Sequence, residues 1–229
     1  MNGDYYAPDD SNTGTRHTVC IADVETGGLK KKHPTIQIAS ICVDAETFAE
    51  IDFEEAKLIF DPKACDRKAL EMNCYDENVW AVEAIPPEHA RDRLDGFFRR
   101  HADYKLISKA GKPYATVKLF AHNAPFDMAR LQSLWDGAYT PFCWWYPIDT
   151  LQLSLWYFSS AYETKDRPEN YRLGTLCEWF GIEVGEGAHD ALHDCRLVAK
   201  LLKKLNRLDE GPEMQESIAD IQDTLGGGR

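Results

Sequence analysis

The spacing of apolar positions changes character along the chain, and with it the elements it predicts. Thr18 to Val24 is a β-branched and apolar run, the pattern of a central strand. Thr26-Gly27-Gly28 ends it, Lys30-Lys31-Lys32-His33 makes a basic turn, and Pro34 precedes a second strand from Thr35 to Val43. A third, weaker strand is expected over Lys57 to Phe60, stopped by Asp61-Pro62. Connections this short suggest an antiparallel meander. Helical spacing then takes over. Asp66 can cap a short helix from Arg67 to Met72, and Pro86-Pro87 opens a longer one with Ala90, Leu94, Phe97 and Phe98 on one face. Ser108 to Tyr114 reads as a polar loop and Thr116 to Ala121 as a strand. A helix follows from Asn123-Ala124-Pro125 to about Trp135. Cys143 to Ile148 is aromatic and β-like, Asp149-Thr150 can cap a helix from Leu151 to Phe158, and Glu163 to Glu169 is a polar loop. Leu173 to Phe180 is helical and closed by Gly181, and Ala188 to Leu205 is the last strong helix. Three strands in sequence, then strands alternating with helices, imply an α/β fold: a mixed sheet, antiparallel meander first and parallel strands after, flanked by helices.

The ends differ from the middle. Residues 1–17 are polar and predict a flexible N-terminal arm, and 206–229 form an acidic tail whose only apolar pattern is Ile218, Ile221 and Leu225. The domain between them is expected over 18–205. A hydrophobic fraction of 44% with six tryptophans indicates a packed globular protein rather than a disordered one. The seven cysteines are scattered, form no CxxC pair and sit mostly inside apolar runs, which favours a reducing compartment over a disulfide framework or zinc ribbon. No segment reaches the roughly 18 apolar residues of a membrane span, and the start is polar rather than signal-like. The expectation is a cytoplasmic protein with no membrane partner. The net charge of −12 argues against a general polyanion-binding surface. It does not argue against a nuclease, because bound divalent cations reverse the field of a carboxylate site locally.

Carboxylates recur at the ends of predicted elements. Asp23 and Glu25 are two apart, so on a strand both side chains fall on one face. Two solvated charges at a strand end would look the same, but Asp23 directly follows Val19-Cys20-Ile21-Ala22, where an unpaired charge is expensive. Asp127 sits early in its helix, where a lone acid also complements the macrodipole, and His122 and Asn123 serve equally well as strand end and N-cap. His189 stands before or at the start of the last helix, and Asp194 lies within it among apolar neighbours. Hard oxygen ligands without a Cys/His cluster point to Mg²⁺ or Mn²⁺. Two such ions about 3.5–4 Å apart can activate water and stabilise the leaving oxygen of a phosphodiester. A neutral histidine beside them can take the proton. The five residues thus fill the roles that phosphodiester hydrolysis needs.

Asp23-x-Glu25-Thr26, His122-Asn123-x-x-Phe126-Asp127 and His189-x-x-x-x-Asp194 resemble, in this order and spacing, the three motifs of the DEDDh (DnaQ-like) 3′→5′ exonucleases. Members include the proofreading subunit of bacterial replicative polymerases, RNase T, oligoribonuclease and the TREX enzymes. The resemblance covers roughly 18–205 and extends to Gln37-Ile38-Ala39, Ala69-Leu70-Glu71, Asp149-Thr150-Leu151 and Tyr171-Arg172-Leu173. The histidine five before the last aspartate marks the DEDDh branch; the tyrosine of the DEDDy branch would stand at Asp190. The resemblance implies a ribonuclease H-like fold and release of nucleoside 5′-monophosphates from a free 3′ end of DNA or RNA. It implies that Asp23, Glu25, Asp127 and Asp194 bind two divalent cations and that His189 is the general base. It places Thr26, Leu29, His122, Asn123 and Phe126 around the terminal nucleotides. Gly27 departs from the second Thr or Ser of several relatives. The tail is outside the resemblance and is a candidate dock for a polymerase or other protein.

Other readings compete. His189 and His193 are four apart, beside Asp190 and Asp194, and could share a zinc ion, although no HExxH glutamate accompanies them. A silent nuclease-like binding module would be expected to lack some of the five residues, and all are present. Trp144-Trp145 and Trp156-Tyr157-Phe158 either stack bases or pack into the core, with packing favoured. Lys30 to His33 either touches phosphates near the site or solvates a turn.

Overall fold

The computed structural model describes residues 5–6, 17–108, 110–135, 146–159, 166–185, 187 and 189–206. Most of the expected arm, the tail beyond 206, and Trp144 and Trp145 lie outside these residues. The strands are β1 (Tyr5–Tyr6), β2 (Thr18–Thr26), β3 (Thr35–Asp44), β4 (Glu50–Lys57), β5 (Tyr104–Ile107), β6 (Pro113–Thr116), β7 (Leu119–Ala121) and β8 (Ile148–Asp149). The helices are α1 (Arg67–Met72), α2 (Glu77–Glu83), α3 (Pro87–His101), α4 (Ala124–Leu134), α5 (Thr150–Tyr157), α6 (Leu173–Trp179) and α7 (Ala191–Leu205).

The main sheet has the order β4-β3-β2-β7-β8. β2, β3 and β4 form an antiparallel meander, whereas β7 runs parallel to β2, and β8 parallel to β7. This is the mixed sheet that the sequence implies. A second, antiparallel sheet has the order β1-β5-β6. Among the described residues no helix is long and apolar enough to cross a membrane.

Side-chain alternation divides the core into two layers. Cys20, Ala22 and Val24 of β2, with Ile38 and Cys42 of β3, pack against Leu94, Phe97 and Phe98 of α3 and Met128 and Leu131 of α4. The intervening residues, Val19 and Ile21 of β2 and Ala39, Ile41 and Val43 of β3, pack against Ala191, Leu192, Cys195, Val198 and Leu202 of α7. The other side of α7 buries Leu197, Leu201 and Leu205 against Leu176 and Cys177 of α6 and Phe158. The last helix is therefore apolar on two faces, and it holds the sheet to the α5–α6 layer.

Several expectations shift. The third strand is Glu50–Lys57 rather than Lys57–Phe60, because pairing with β3 from Val43 to Gln37 captures the alternating acidic segment, and Leu58 keeps only an isolated bridge to Ile85. The edge tolerates its acids: Glu50 pairs with Arg196, Asp52 with Arg100 and His101, and Glu54 with Arg93. The expected loop from Ser108 shortens because Pro113 and Tyr114 join β6, and β5 has no apolar alternation strong enough to show in the sequence. The strand expected from Thr116 divides between the two sheets, with Leu119 opening β7. α2 is an addition to the expected elements, its single buried residue being Trp80. The last helix begins at Ala191 rather than Ala188. Phe158 is buried as expected for a packing aromatic, but Trp156 is 64% exposed.

Phe98, on α3, is fully buried against the sheet. Its replacement by Ala should cost about 3–5 kcal/mol in urea unfolding. Val82→Ala, at an exposed position, should stay within about 0.5 kcal/mol.

Candidate active site

The alternation that sends Val19 and Ile21 towards α7 continues into Asp23 and Glu25, so the strand delivers two half-buried carboxylates to that same face. β2 and β7 are parallel neighbours, and their carboxyl ends share one edge of the sheet. There β7 turns into α4 through Asn123, held in a left-handed conformation (φ 68°) with its N–H donating to Asp149 Oδ1 at 2.9 Å. One turn into α4, Asp127 is buried and its Oδ1 accepts the Val24 N–H at 3.2 Å. α7 arrives from the opposite layer. Asp190 caps it by accepting the His193 N–H at 2.9 Å, and Asp194 lies in its first turn. His189 precedes the cap with φ 69°, a conformation that costs a non-glycine residue of order 1 kcal/mol and is found most at functional sites.

The three sequence motifs thus meet at one place, and the acids feel one another. Burial pushes Glu25 up to about 8, reinforced by Asp194, Asp127 and Asp190. Burial also pushes Asp127 up to about 8, against the Val24 N–H, which favours the anion. Asp23 is held well above the usual carboxylate range by burial and then by Asp127, Glu25, Asp194 and Asp190. Asp194 is raised by burial, with His189 and His193 acting the other way. An arrangement of this kind needs protons or cations to neutralise it. Donor atoms of Glu25, His189 and Asp194 lie within 4.8 Å of one another, the one such group among the described residues. An oxygen-rich set of this charge fits a hard divalent cation such as Mg²⁺ or Mn²⁺.

Two residues at the site, Asp190 and Gln37, are given no role by the three sequence motifs, although Gln37 falls in a flank of the resemblance. Asp190 adds a fifth carboxylate to the field, and its Oδ2 accepts from Gln37 Nε2 at 2.8 Å. Gln37 also donates to Glu55 Oε1 at 2.9 Å, which ties the start of α7 to the edge strand. The available signal is a lone amide on β3 in the row of Ala39, Ile41 and Val43 that faces α7.

The residues expected around the nucleotides differ in setting. Leu29 is 86% exposed. Thr26 is buried, and its hydroxyl donates to the Gly28 carbonyl at 3.0 Å. Phe126 is half-buried, with the Arg130 guanidinium 5.3 Å from its ring centre. His122 has both ring nitrogens committed, Nε2 to the Tyr171 carbonyl and Nδ1 to the Thr150 hydroxyl, each at 2.9 Å. Its burial lowers its pKa, so the neutral ring ties β7 to α5 and the segment before α6. At Gly27 a Cβ would run into the side chain of Cys65, so the position has no room for a Thr or Ser side chain. The zinc pairing is not assembled: His193 Nε2 lies 2.7 Å from the Val184 carbonyl, and the ring packs on Gly187, outside the Glu25–His189–Asp194 group.

No family model and no curated protein matches the chain. Solved structures do. E. coli exonuclease I in complex with a dT13 oligonucleotide aligns with a TM-score of 0.61 at 18% identity, over 90% of this chain and 43% of that one. The chain shares the ribonuclease H-like fold of these exonucleases. Cell-death related nuclease 4 (CRN-4) aligns with a TM-score of 0.62 at 12% identity, over 84% of this chain and 64% of that one. A 3′-exonuclease that recognises the 3′ end of a histone mRNA stem-loop aligns with a TM-score of 0.60 at 12% identity, over 89% and 68%. The chain spans about two fifths of the length of exonuclease I.

The raised carboxyl groups set a pH dependence. The folded chain retains protons on Glu25 and Asp127 that the unfolded chain has released, so its metal-free stability is full at low pH, falls as pH rises through the ordinary carboxylate range, and levels off above about 8. The metal-free melting temperature should therefore be lower at pH 8.5 than near pH 5.5. Mn²⁺ added at pH 8.5 should raise it by mass action. Asp23→Asn should flatten the pH dependence and blunt the Mn²⁺ response.

Proposed function

We propose that this chain is a DEDDh-type 3′→5′ exonuclease, hydrolysing phosphodiester bonds at a free 3′ end of DNA or RNA and releasing nucleoside 5′-monophosphates with two divalent cations, Mg²⁺ or Mn²⁺. The observation that carries the reading is the convergence of Asp23, Glu25, Asp127, Asp194 and His189, from three separate motifs, on one edge of a sheet with the exonuclease fold. The structural neighbours include one holding a DNA oligonucleotide and one recognising an RNA stem-loop, which supports a nucleic-acid partner of either kind.

In this reading Asp23, Glu25, Asp127 and Asp194 hold the cations. Bound there, the ions would stabilise charge developing on the phosphate and leaving oxygen and acidify the attacking water. The chain's own groups do the rest. The Val24 amide keeps one Asp127 oxygen occupied and so fixes how the carboxylate is presented. Asp194, in the first turn of α7, lies where the helix dipole favours its anion. His189 stands at the exposed rim, beside Glu25 and Asp194, and accepts the proton of the attacking water. Leu29 is exposed and available to an apolar contact with the last bases. The choice between DNA and RNA turns on what meets the 2′-hydroxyl.

The reading is tested on 3′-labelled single- and double-stranded DNA and RNA oligomers, with product sizes followed in Mg²⁺, Mn²⁺ and EDTA. Mononucleotides should be the first products, EDTA should abolish them, and a closed circular strand should survive. Asp23→Ala should lose nearly all turnover while remaining folded. His189→Ala should slow turnover by about 10²–10⁴-fold with cation binding retained, and His193→Ala by much less. Rapid cutting of the circle by a preparation whose Asp194→Ala variant is inactive would replace the exonuclease reading by an endonuclease one.

A further inference from the structure

The segment between β2 and β3 directly follows Glu25 and Thr26, and its backbone is held far more closely than its sequence suggests. Its neck is closed by the Gly27 N–H donating to the Pro34 carbonyl at 2.8 Å. At its centre is the guanidinium of Arg130, a buried side chain of α4. Nη1 donates to the carbonyls of His33 (2.8 Å) and Lys31 (3.2 Å), and Nη2 to that of Lys30 (2.9 Å), with those of Gly28 and Leu29 at 3.5 Å. No carboxylate pairs with Arg130 among the described residues. Loop carbonyls, converging on one cation, stand in for a counter-ion. Gly28 (φ 144°) completes the wrap, since a Cβ there would meet the His33 ring.

What this clamp presents outward is basic. Lys30, Lys31 and Lys32 are all exposed, and none is paired with a carboxylate among the described residues. In a chain of net charge −12, whose site acids would repel a phosphate backbone, three consecutive cations follow Glu25 by five to seven residues. Arg130 and Asp127 are three residues apart on α4, so one helical turn sets both an acid of the site and the loop at its rim.

We propose that Lys30–Lys32 form a pre-ordered binding loop for the phosphates of the polynucleotide strand behind its reacting 3′ end, and that Arg130 is the positioning residue that orders it. The proposal rests on the exonuclease reading for its ligand. Ordering the loop in advance spares the strand that cost on binding, so affinity depends on Arg130 even though its guanidinium touches no phosphate.

The test separates binding from hydrolysis. Binding of a fluorescent single-stranded oligonucleotide is measured against salt in an Asp23→Ala background. In parallel, chains with intact Asp23 are assayed on the p-nitrophenyl ester of thymidine 5′-monophosphate, which has no strand behind it. The triple variant Lys30→Ser, Lys31→Ser, Lys32→Ser should bind the oligonucleotide at least tenfold more weakly at low salt. Its log–log salt slope should be shallower by about two, because each neutralised phosphate of a single strand adds about 0.7 to the slope. Its rate on the small ester should stay within about twofold. Arg130→Gln should weaken strand binding with all three lysines present and speed amide exchange across the loop. Arg130→Lys should recover part of the affinity. Unchanged affinity and slope in the triple variant would overturn the proposal, and if the parent still digests oligonucleotides the exonuclease reading stands without it. A parent that binds strand with the expected slope but digests none would overturn the exonuclease reading and leave the loop assignment in place. Should Arg130→Gln fail to fold, Arg130→Lys and the lysine variant still decide.

Discussion

Repulsion among carboxylates in a partly dry space is the constraint around which this molecule is arranged. Asp23, Glu25, Asp127 and Asp194 all sit above their ordinary pKa range, and burial is the largest cause for each. A flexible surface would let such groups turn away into water. Here they cannot, because each is anchored to an element with its apolar side in the core: β2 between two layers, α4 against Cys20, Ala22 and Val24, and α7 against Val19 and Ile21. The packing free energy of the two layers holds in place an arrangement that its own charges oppose. That is a sound scaffold for binding cations, since most of the ordering is complete before an ion arrives.

Within that scaffold a small number of polar contacts set the fine positions. The Val24 amide, otherwise a ladder donor, goes to Asp127 and joins α4 to the central strand. Asp190 links the first turn of α7 to Gln37 on β3. His122 joins β7 to Thr150 and to the backbone at Tyr171. Each bridges two elements that are distant in sequence.

The layout of the sheet and the acids of the site are legible in the sequence because both are periodic or local. The two-residue spacing of Asp23 and Glu25 on a strand, and the match of Arg67–Met72 and Leu173–Trp179 to their helical patterns, need no tertiary information. What is not legible depends on pairing. β4 runs over acids rather than over the more apolar Leu58-Ile59-Phe60, because register with β3 outranks composition. The role of Gln37 and the inward turn of Arg130 cannot be read, because a buried amide and a buried guanidinium declare themselves only by their partners. His122, the first residue of its motif, resembles a nucleotide contact in the sequence and has both nitrogens bonded inside the fold.

The outer strand has a bearing on how copies of this protein meet. β4 is eight residues long and ends the main sheet, the kind of strand that can pair with another chain, although its Phe53 N–H already donates to Asp52 Oδ1 and its Glu55 carbonyl already accepts from Arg93 Nη2. Along it lie Glu50, Asp52, Glu54 and Glu55, with Arg196, Arg100 and Arg93 drawn onto the first three. A second molecule approaching edge to edge antiparallel would have to bring its own row of carboxylates against these and give up the arginine pairs. The acids that blur this strand in the sequence are thus a built-in resistance to sheet extension and precipitation, supplied by the same residues that anchor the edge to α3 and α7.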